Sequence, residues 1–487
     1  MKTWFILCMV AIIANRGFAQ GSVGIGTTAP NTSAQLDISS TNKGLLIPRL
    51  TSAQRKAINS PAAGLLVFDT DKQSLYMYSG NAWIQFATID RSTTVATSQT
   101  LSTNVQANMG SDVDVDGDWA IVGAAALEVN DSTNNGAAYV MHRTNTGGWQ
   151  IVQQLLPNTS DQNGRFGEAV SIRGDLIAVG APFWDEAQGG GGDDEGAVFI
   201  YKRNTTTNVW AFVQKVISTS TQDEDWYGYS VDIDATNLIV GAPRDGIALS
   251  ANDDGSFYIY DWNGSTFNNE QKFRLPNNPH INDWFGNQVS IDGSYAAVAA
   301  WRRDVGSSAD KGVVYIYVKG GGTWTFQDSV LPGSTTTTVE FGKSIDLDGN
   351  YLAVGAATST IFNSWYVFVF GRSGSSWNQL SSELSDVWAD DDYNLYIDVS
   401  IDYPYVVTAA YLETLPTPYR GAVYLYEIVS GQLVERKKFY DYQEFMTNES
   451  FGTSIAISGE FIFIGSERAY PVSGGQKGKV SIATVGD

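Results

Sequence analysis

The stretch Phe166–Pro182, FGEAVSIRGDLIAVGAP, restricts the folds open to this chain more than any other feature of the sequence. Two short apolar runs, Ala169–Ile172 and Leu176–Val179, flank a turn at Arg173, Gly174 and Asp175. Alternating β-branched residues around a glycine turn specify a tight antiparallel hairpin. The pattern returns as YGYSVDIDATNLIVGAP (Tyr227–Pro243), FGNQVSIDGSYAAVAA (Phe285–Ala300) and FGKSIDLDGNYLAVGAA (Phe341–Ala357). Looser copies begin at Met109, Leu395 and Phe451, which makes seven. The spacing runs from 54 residues (Phe341 to Leu395) to 61 (Phe166 to Tyr227).

Each repeat has room for four strands. The first follows the Phe-Gly pair and the second ends in Gly-Ala-Pro or a variant of it. Third strands are predicted at Ala137–Met141, Ala197–Tyr201, Ser256–Tyr260, Val313–Tyr317, Tyr366–Phe370, Ala422–Tyr426 and Lys479–Ile482. Fourth strands follow turns ending at Trp149, Trp210, Trp324 and Trp377. A period of this length built from four short strands predicts an all-β, seven-bladed β-propeller over residues 98–487. The seventh repeat ends after its third strand. Ser98–Asn104, which resembles the fourth-strand piece Gln153–Asn158, is expected to complete that blade as an N-terminal strand and so remove the exposed sheet edges. The Phe of each Phe-Gly pair is expected to fill the wedge between blades. Gly180-Ala181 and Gly241-Ala242 would let the blades approach closely.

The repeats resemble those of FG-GAP proteins, whose best-known members are the propellers of integrin α chains. That resemblance implies an adhesive or ligand-binding role and, in many members, a calcium loop of DxDxDG type between the first two strands. The nearest string here is Asp112–Asp118, DVDVDGD. In register with Ser344–Asn350, its Asp112 and Asp114 fall on a strand and Asp116-Gly117 forms the turn. Six to eight converging oxygens, which Ca2+ requires, are not offered by alternating strand positions. The usual calcium loop is therefore expected to be absent. Acidic loops between second and third strands leave a Ca2+ or other cation site open, with Asp185, Asp193, Asp194, Asp253 and Asp254 as candidates; a solvated acidic rim is the other reading.

Residues 1–19 read as an export signal: Lys2, an apolar core at Trp4–Ile13, and a Gly17-Phe18-Ala19 cleavage pattern. The apolar core is too short to span a membrane. The single cysteine, Cys8, lies inside this segment, so no thiol or disulfide chemistry is expected after its removal. Residues 20–86 form a small β-rich module. Leu65–Phe68 and Leu75–Tyr78 are predicted as a hairpin, and Thr51–Asn59 as a short helix capped by Thr51 or Ser52. Its strings VGIGT, LDIS, GLLIPR and GLLVFDT resemble an N-terminal module of secreted and fibre-like proteins of Bacteroidetes-type bacteria, also met near tail-fibre-like stalks. Oligomerisation through this module is one reading, and a small cap or linker is the other. Residues 87–97 are a linker.

A formal charge of −22 opposes binding to nucleic acid and to anionic membrane. His142 and His280 come from different repeats, so no histidine-centred catalytic site is indicated. Recognition is better served. The loops joining strands two to three and four to one carry Phe183, Trp184, Asp185, Trp226, Tyr227, Asp245, Trp284, Trp301, Arg302 and Arg303. Aromatic groups mixed with Arg and carboxylates are typical of contact surfaces. The expected function is that of a secreted or cell-surface binding module engaging protein or glycan through this loop face. A propeller-based polysaccharide lyase or hydrolase, and a structural part of an extracellular fibre, are the alternatives.

Overall fold

The computed structural model describes residues 23–71, 74–80, 83–85, 99–101, 109–127, 135–158, 163–185, 194–220, 224–246, 254–275, 282–306, 308–333, 338–358, 365–384, 397–414, 420–439, 451–467 and 478–486. The expected export signal, the linker at 87–97, His280, Asp193 and Asp253 lie outside them. The chain divides into two compact units, Met1–Thr88 and Ile89–Asp487.

In the first unit, Val23–Ile25 pairs in parallel with Leu36–Ile38. A separate four-stranded sheet joins Arg49–Leu50, Leu66–Asp69, Ser74–Tyr78 and Trp83–Gln85. The predicted hairpin appears in it with Phe68 opposite Leu75. The helix is shorter than the sequence suggests, Ser52–Lys56, with Thr51 and Gln54 forming a capping box. Arg55 is buried against Asp69 at 2.8 Å and lies 3.7 Å from the Tyr76 ring centroid. A paired, ring-covered guanidinium is the form in which an arginine tolerates an interior.

The second unit contains seven four-stranded antiparallel sheets. Their first strands are Val113–Asp116, Ala169–Arg173, Ser230–Ile233, Phe285–Asp292, Thr338–Asp348, Ile397–Asp402 and Ile455–Ser458. In the founding repeat the register runs Ala169↔Gly180 to Arg173↔Leu176. Gly174 occupies the first turn position with φ 60°, a conformation L-residues rarely adopt. In six sheets the four strands are consecutive. In the seventh, Ile455–Ser458, Phe461–Ser466 and Lys479–Thr484 are joined by Gln99–Leu101, whose Leu101 pairs with Val480.

The apolar clusters lie between sheets rather than within them. Phe166 and Phe199 of the second sheet pack with Ile121 and Val140 of the first. Phe461, Phe463 and Val480 of the seventh pack with Val113, Tyr139 and Trp149 of the first. Phe166, Tyr227, Phe285, Phe341 and Phe451, the aromatic residues of the Phe-Gly pairs, are all fully buried in such clusters. The glycine joints are equally close. A Cβ added to Gly180 would stand 2.2 Å from the carbonyl oxygen of Gly228 in the next sheet. Fourth strands are tied by amides: the Gln153 side chain accepts from Trp210 N (2.9 Å) and donates to Trp210 O (2.6 Å), and Gln214 holds Phe267 in the same way.

Candidate functional site

One cavity of about 640 Å³ is lined by the first strands of all seven sheets and by residues that enter them. Each first strand is a sheet edge, so its outer N–H groups need partners. They find them in the side chains of the preceding sheet. Ile172 N donates to Asp114 (2.7 Å), Ile233 N to Ser171 (3.3 Å), and Ile291 N to Asp232 (2.7 Å). Leu347 N donates to Ser290 (3.1 Å), Ile401 N to Asp346 (2.7 Å), and Ile457 N to Ser400 (3.2 Å). In this layer Asp and Ser thus alternate around six sheets, which keeps its carboxylates two sheets apart. The DVDVDGD string takes part: Asp112, Asp114 and Asp116 accept from Val170, Ile172 and Gly174. These carboxylates bind successive backbone groups of a neighbouring strand and do not converge on one point.

Removal from water pushes Asp114 and Asp346 up to about 7 and Asp398 up to about 6, against the lowering pull of the backbone N–H bonds they accept. Burial likewise raises Asp112 and Asp232. Arg173 is the cation that interacts with Asp232, Asp114, Asp116 and Asp292.

Above this acidic zone the cavity wall is aromatic. Phe183 meets Trp226 edge to face at 5.1 Å, Trp226 meets Trp284 at 6.0 Å, and Trp284 meets Trp301 at 5.7 Å. Tyr229 stacks on Trp226 at 5.8 Å. The rings come from three successive sheets and form one continuous wall. Trp226 and Trp284 precede Phe-Gly-type pairs and adopt φ of 56° and 55°. Arg165 and Glu340 hold the same position in their repeats with φ of 51° and 57°. The motif therefore imposes a left-handed residue before the pair, and a bulky side chain there carries strain of about 1–3 kcal/mol. Buried Asn287 pins the backbone at Trp284: its own N–H donates to Trp284 O at 3.1 Å.

Cations stand beside the wall. Arg302 lies 4.8 Å from the Trp284 ring centroid and 4.4 Å from that of Trp301, with Lys343 5.0 Å from the latter. Lys343 pairs with Glu340 at 2.7 Å and Arg165 with Glu168 at 2.8 Å. Burial raises Glu168 to about 7.

Of the residues the sequence proposed for ligand contact, Phe183, Trp226, Trp284, Trp301 and Arg302 come together on this wall. The rest do not. Trp184 is 1% exposed and packs edge to face on Phe199, so it belongs to the core between the first two sheets. Tyr227, in the Phe-Gly register, is fully buried and donates to Tyr260. Arg303 is engaged by buried Asp283. Asp245 is 1% exposed and held by Lys272 (2.6 Å), Arg274 (2.5 Å) and Tyr258 (3.0 Å), which fixes its loop and leaves it no access. Asp185 accepts from Asp194 N at 2.8 Å outside the cavity lining, and Asp254 is buried. Among the described residues, no three acidic or histidine side chains assemble a metal-binding group. His142 packs on Trp119 at 4.1 Å.

Sequence reasoning missed Arg165, Tyr229 and Lys343, and placed Asp112 and Asp114 on a strand without giving them a role there. The available signal was positional: the residue before each Phe-Gly pair, and the Ser/Asp alternation on first strands.

A family profile of the FG-GAP repeat matches residues 149–201, 210–260 and 269–317. Another, described as a phage tail like trimerisation region, matches residues 24–103. No curated protein matches the chain. Each FG-GAP match begins on or beside a fourth strand and ends on the third strand of the next sheet, so the repeat is offset by one strand from the sheet. The same offset lets Gln99–Leu101 serve as the fourth strand of the seventh sheet. Three FG-GAP matches on four-stranded antiparallel sheets are consistent with the blades of a β-propeller and suggest a module of the binding or adhesion type. Among the described residues, no helix is long and apolar enough to cross a membrane.

Proposed function

We propose that this chain is an exported binding module that grips a glycan in the aromatic cavity of a seven-bladed propeller. In this reading the seven sheets are blades of one ring, closed by Gln99–Leu101. Support comes from the cavity shared by all seven first strands and from the cluster joining the seventh sheet to the first. Export rests on the segment at residues 1–19.

The observation that carries the function is the continuous wall Phe183–Trp226–Trp284–Trp301, with two tryptophans in a strained conformation. Strain concentrated in bulky side chains at a cavity mouth is a pointer to function. A concave site of about 640 Å³ falls within the range of small-ligand pockets, whereas protein partners usually need a broad surface. Aromatic faces complement the apolar faces of sugar rings. Binding of the full chain across a glycan array, followed by titration calorimetry, tests this reading. Trp284→Gly is expected to lower affinity by about tenfold or more. Glycine suits the left-handed backbone, so the melting temperature should stay within about 2 °C. A variant that binds as tightly as the parent would refute the wall as the site. Glu168, raised in the cavity wall, supports the alternative of glycan cleavage, which appearance of reducing or unsaturated sugar ends would reveal.

The N-terminal unit is read as a trimerising base. Val23, Ile25, Leu36, Leu45 and Leu46 are all more than half exposed within the stretch at or beside the trimerisation match. A three-residue parallel pair that exposes its apolar side chains gains little by itself, and burial between copies would stabilise it. Light scattering on the full chain is expected to give the mass of three copies. Replacing Leu45 and Leu46 by serine should shift that mass toward one copy. Three linked sites would then multiply avidity on a repetitive glycan.

A further inference from the structure

Arg302 and Arg303 are adjacent in sequence and differ completely in how their charge is met. Arg303 is engaged by buried Asp283. Arg302 lies half-buried at the cavity wall between two indoles, and among the described residues it has no ion pair and no hydrogen bond. The other cations lining the cavity, Arg165 and Lys343, each have a carboxylate partner. Contact with aromatic rings engages the guanidinium without using up its in-plane fork of N–H donors. A stacked guanidinium is also fixed in orientation, so little freedom is lost when the fork closes on a planar two-oxygen group. The field around it argues for a single anion. The chain carries a formal charge of −22 and acidic strand side chains line the same cavity, so a densely charged polymer is repelled while one isolated carboxylate reaches a preformed donor pair.

We propose that the glycan bound in this cavity carries an acidic sugar, whose carboxylate is received by Arg302 while the sugar ring lies on the aromatic wall at Trp284. This rests on the reading of the cavity as a glycan site. The carboxylate supplies the acceptor that Arg302 lacks, and the aromatic wall sets the position of the ring that bears it. Arg302 is then the residue that distinguishes acidic from neutral glycans. Lysine cannot replace it fully, because an ammonium is a point donor without a planar fork.

The test uses the full chain, an oligosaccharide ending in one glucuronic acid, and the carboxyl-reduced counterpart of that oligosaccharide. Titration calorimetry is expected to show the acidic form binding about tenfold or more tightly than the reduced form. Arg302→Ala should bring the acidic form down to the affinity of the reduced one, Arg302→Lys should recover part of the difference, and both variants should melt with the parent. Equal affinity of the parent for the two forms, or a preference that survives Arg302→Ala, overturns the proposal. Binding of neutral glycans alone on the array would overturn it and leave the glycan site standing; binding of no glycan at all would overturn both.

Discussion

Replacing Gly241 by alanine is expected to lower the melting temperature of the second unit by about 3 °C or more, from a loss of roughly 3 kcal/mol or more. Gly241 is the last residue but one of the second strand of the third sheet, and a Cβ there would stand 1.9 Å from the carbonyl oxygen of Gly286 and 3.0 Å from its carbon. Both partners are backbone, so no flexible side chain can swing aside, and relief requires the two sheets to part. Parting them would open a cluster that holds Ile239, Phe257, Phe285 and Val298 from both sides. Gly320→Ala is the control, because nothing lies within 4 Å of its added Cβ. That variant should melt with the parent or slightly above it, since alanine has less freedom to lose on folding. Thermal melts that place Gly241→Ala beside Gly320→Ala would show that the sheets do not meet backbone to backbone. The same experiment reaches the proposed ring closure. A Cβ on Gly465 of the seventh sheet would stand 2.3 Å from the Ser454 hydroxyl oxygen of its own sheet and 2.5 Å from the carbonyl oxygen of Gly110, which enters the first. Gly465→Ala should therefore behave like Gly241→Ala, and a harmless substitution would mean that the seventh and first sheets are not joined in solution.

The scaffold was legible because it is written several times. A single FGEAVSIRGDLIAVGAP allows a hairpin on many folds, but repetition at regular spacing restricts where each hairpin must go. Strand period, turn glycines and buried Phe-Gly aromatics are local properties, so the sequence carries them directly. The site was only half legible. Loop position brought Phe183, Trp226, Trp284, Trp301 and Arg302 forward together with Trp184 and Arg303, and nothing local separates the two groups. Trp184 follows Phe183 by one residue, yet packs on Phe199 because the loop turns it inward. Arg303 follows Arg302 and is withdrawn by Asp283, twenty residues earlier, a partner that only the folded chain supplies. The strand carboxylates were hidden for a related reason. Asp114 has meaning only beside Ile172, fifty-eight residues away, and the alternation of Asp with Ser becomes visible when six repeats stand side by side.

The buried carboxyl groups of the cavity have a consequence for stability that runs opposite to ordinary acid denaturation. Asp114, Asp346 and Glu168 are raised to about 7 and Asp398 to about 6, with burial the leading cause in each. In the unfolded chain the same groups titrate near 4. Between about pH 4 and pH 7 the folded protein therefore holds more protons than the unfolded one, and stability falls as pH rises through that interval. Below the interval both states are protonated, and above it both are charged. The second unit should accordingly gain about 5 °C in melting temperature when the pH is lowered from 8 to 5.5. The carboxyl tips keep some contact with solvent in the cavity, which limits the gain. Asp114→Asn with Asp346→Asn isolates the cause. Asparagine keeps an oxygen for Ile172 N and Ile401 N while removing the charge and its repulsion of Asp232. The double variant should melt above the parent at pH 8 and show a flatter profile toward pH 5.5. A parent that loses stability steadily from pH 8 to 5.5, or a double variant less stable than the parent at pH 8, would mean that these carboxylates are held charged by the fold, and that the alternation serves to anchor the strand edges without storing repulsion.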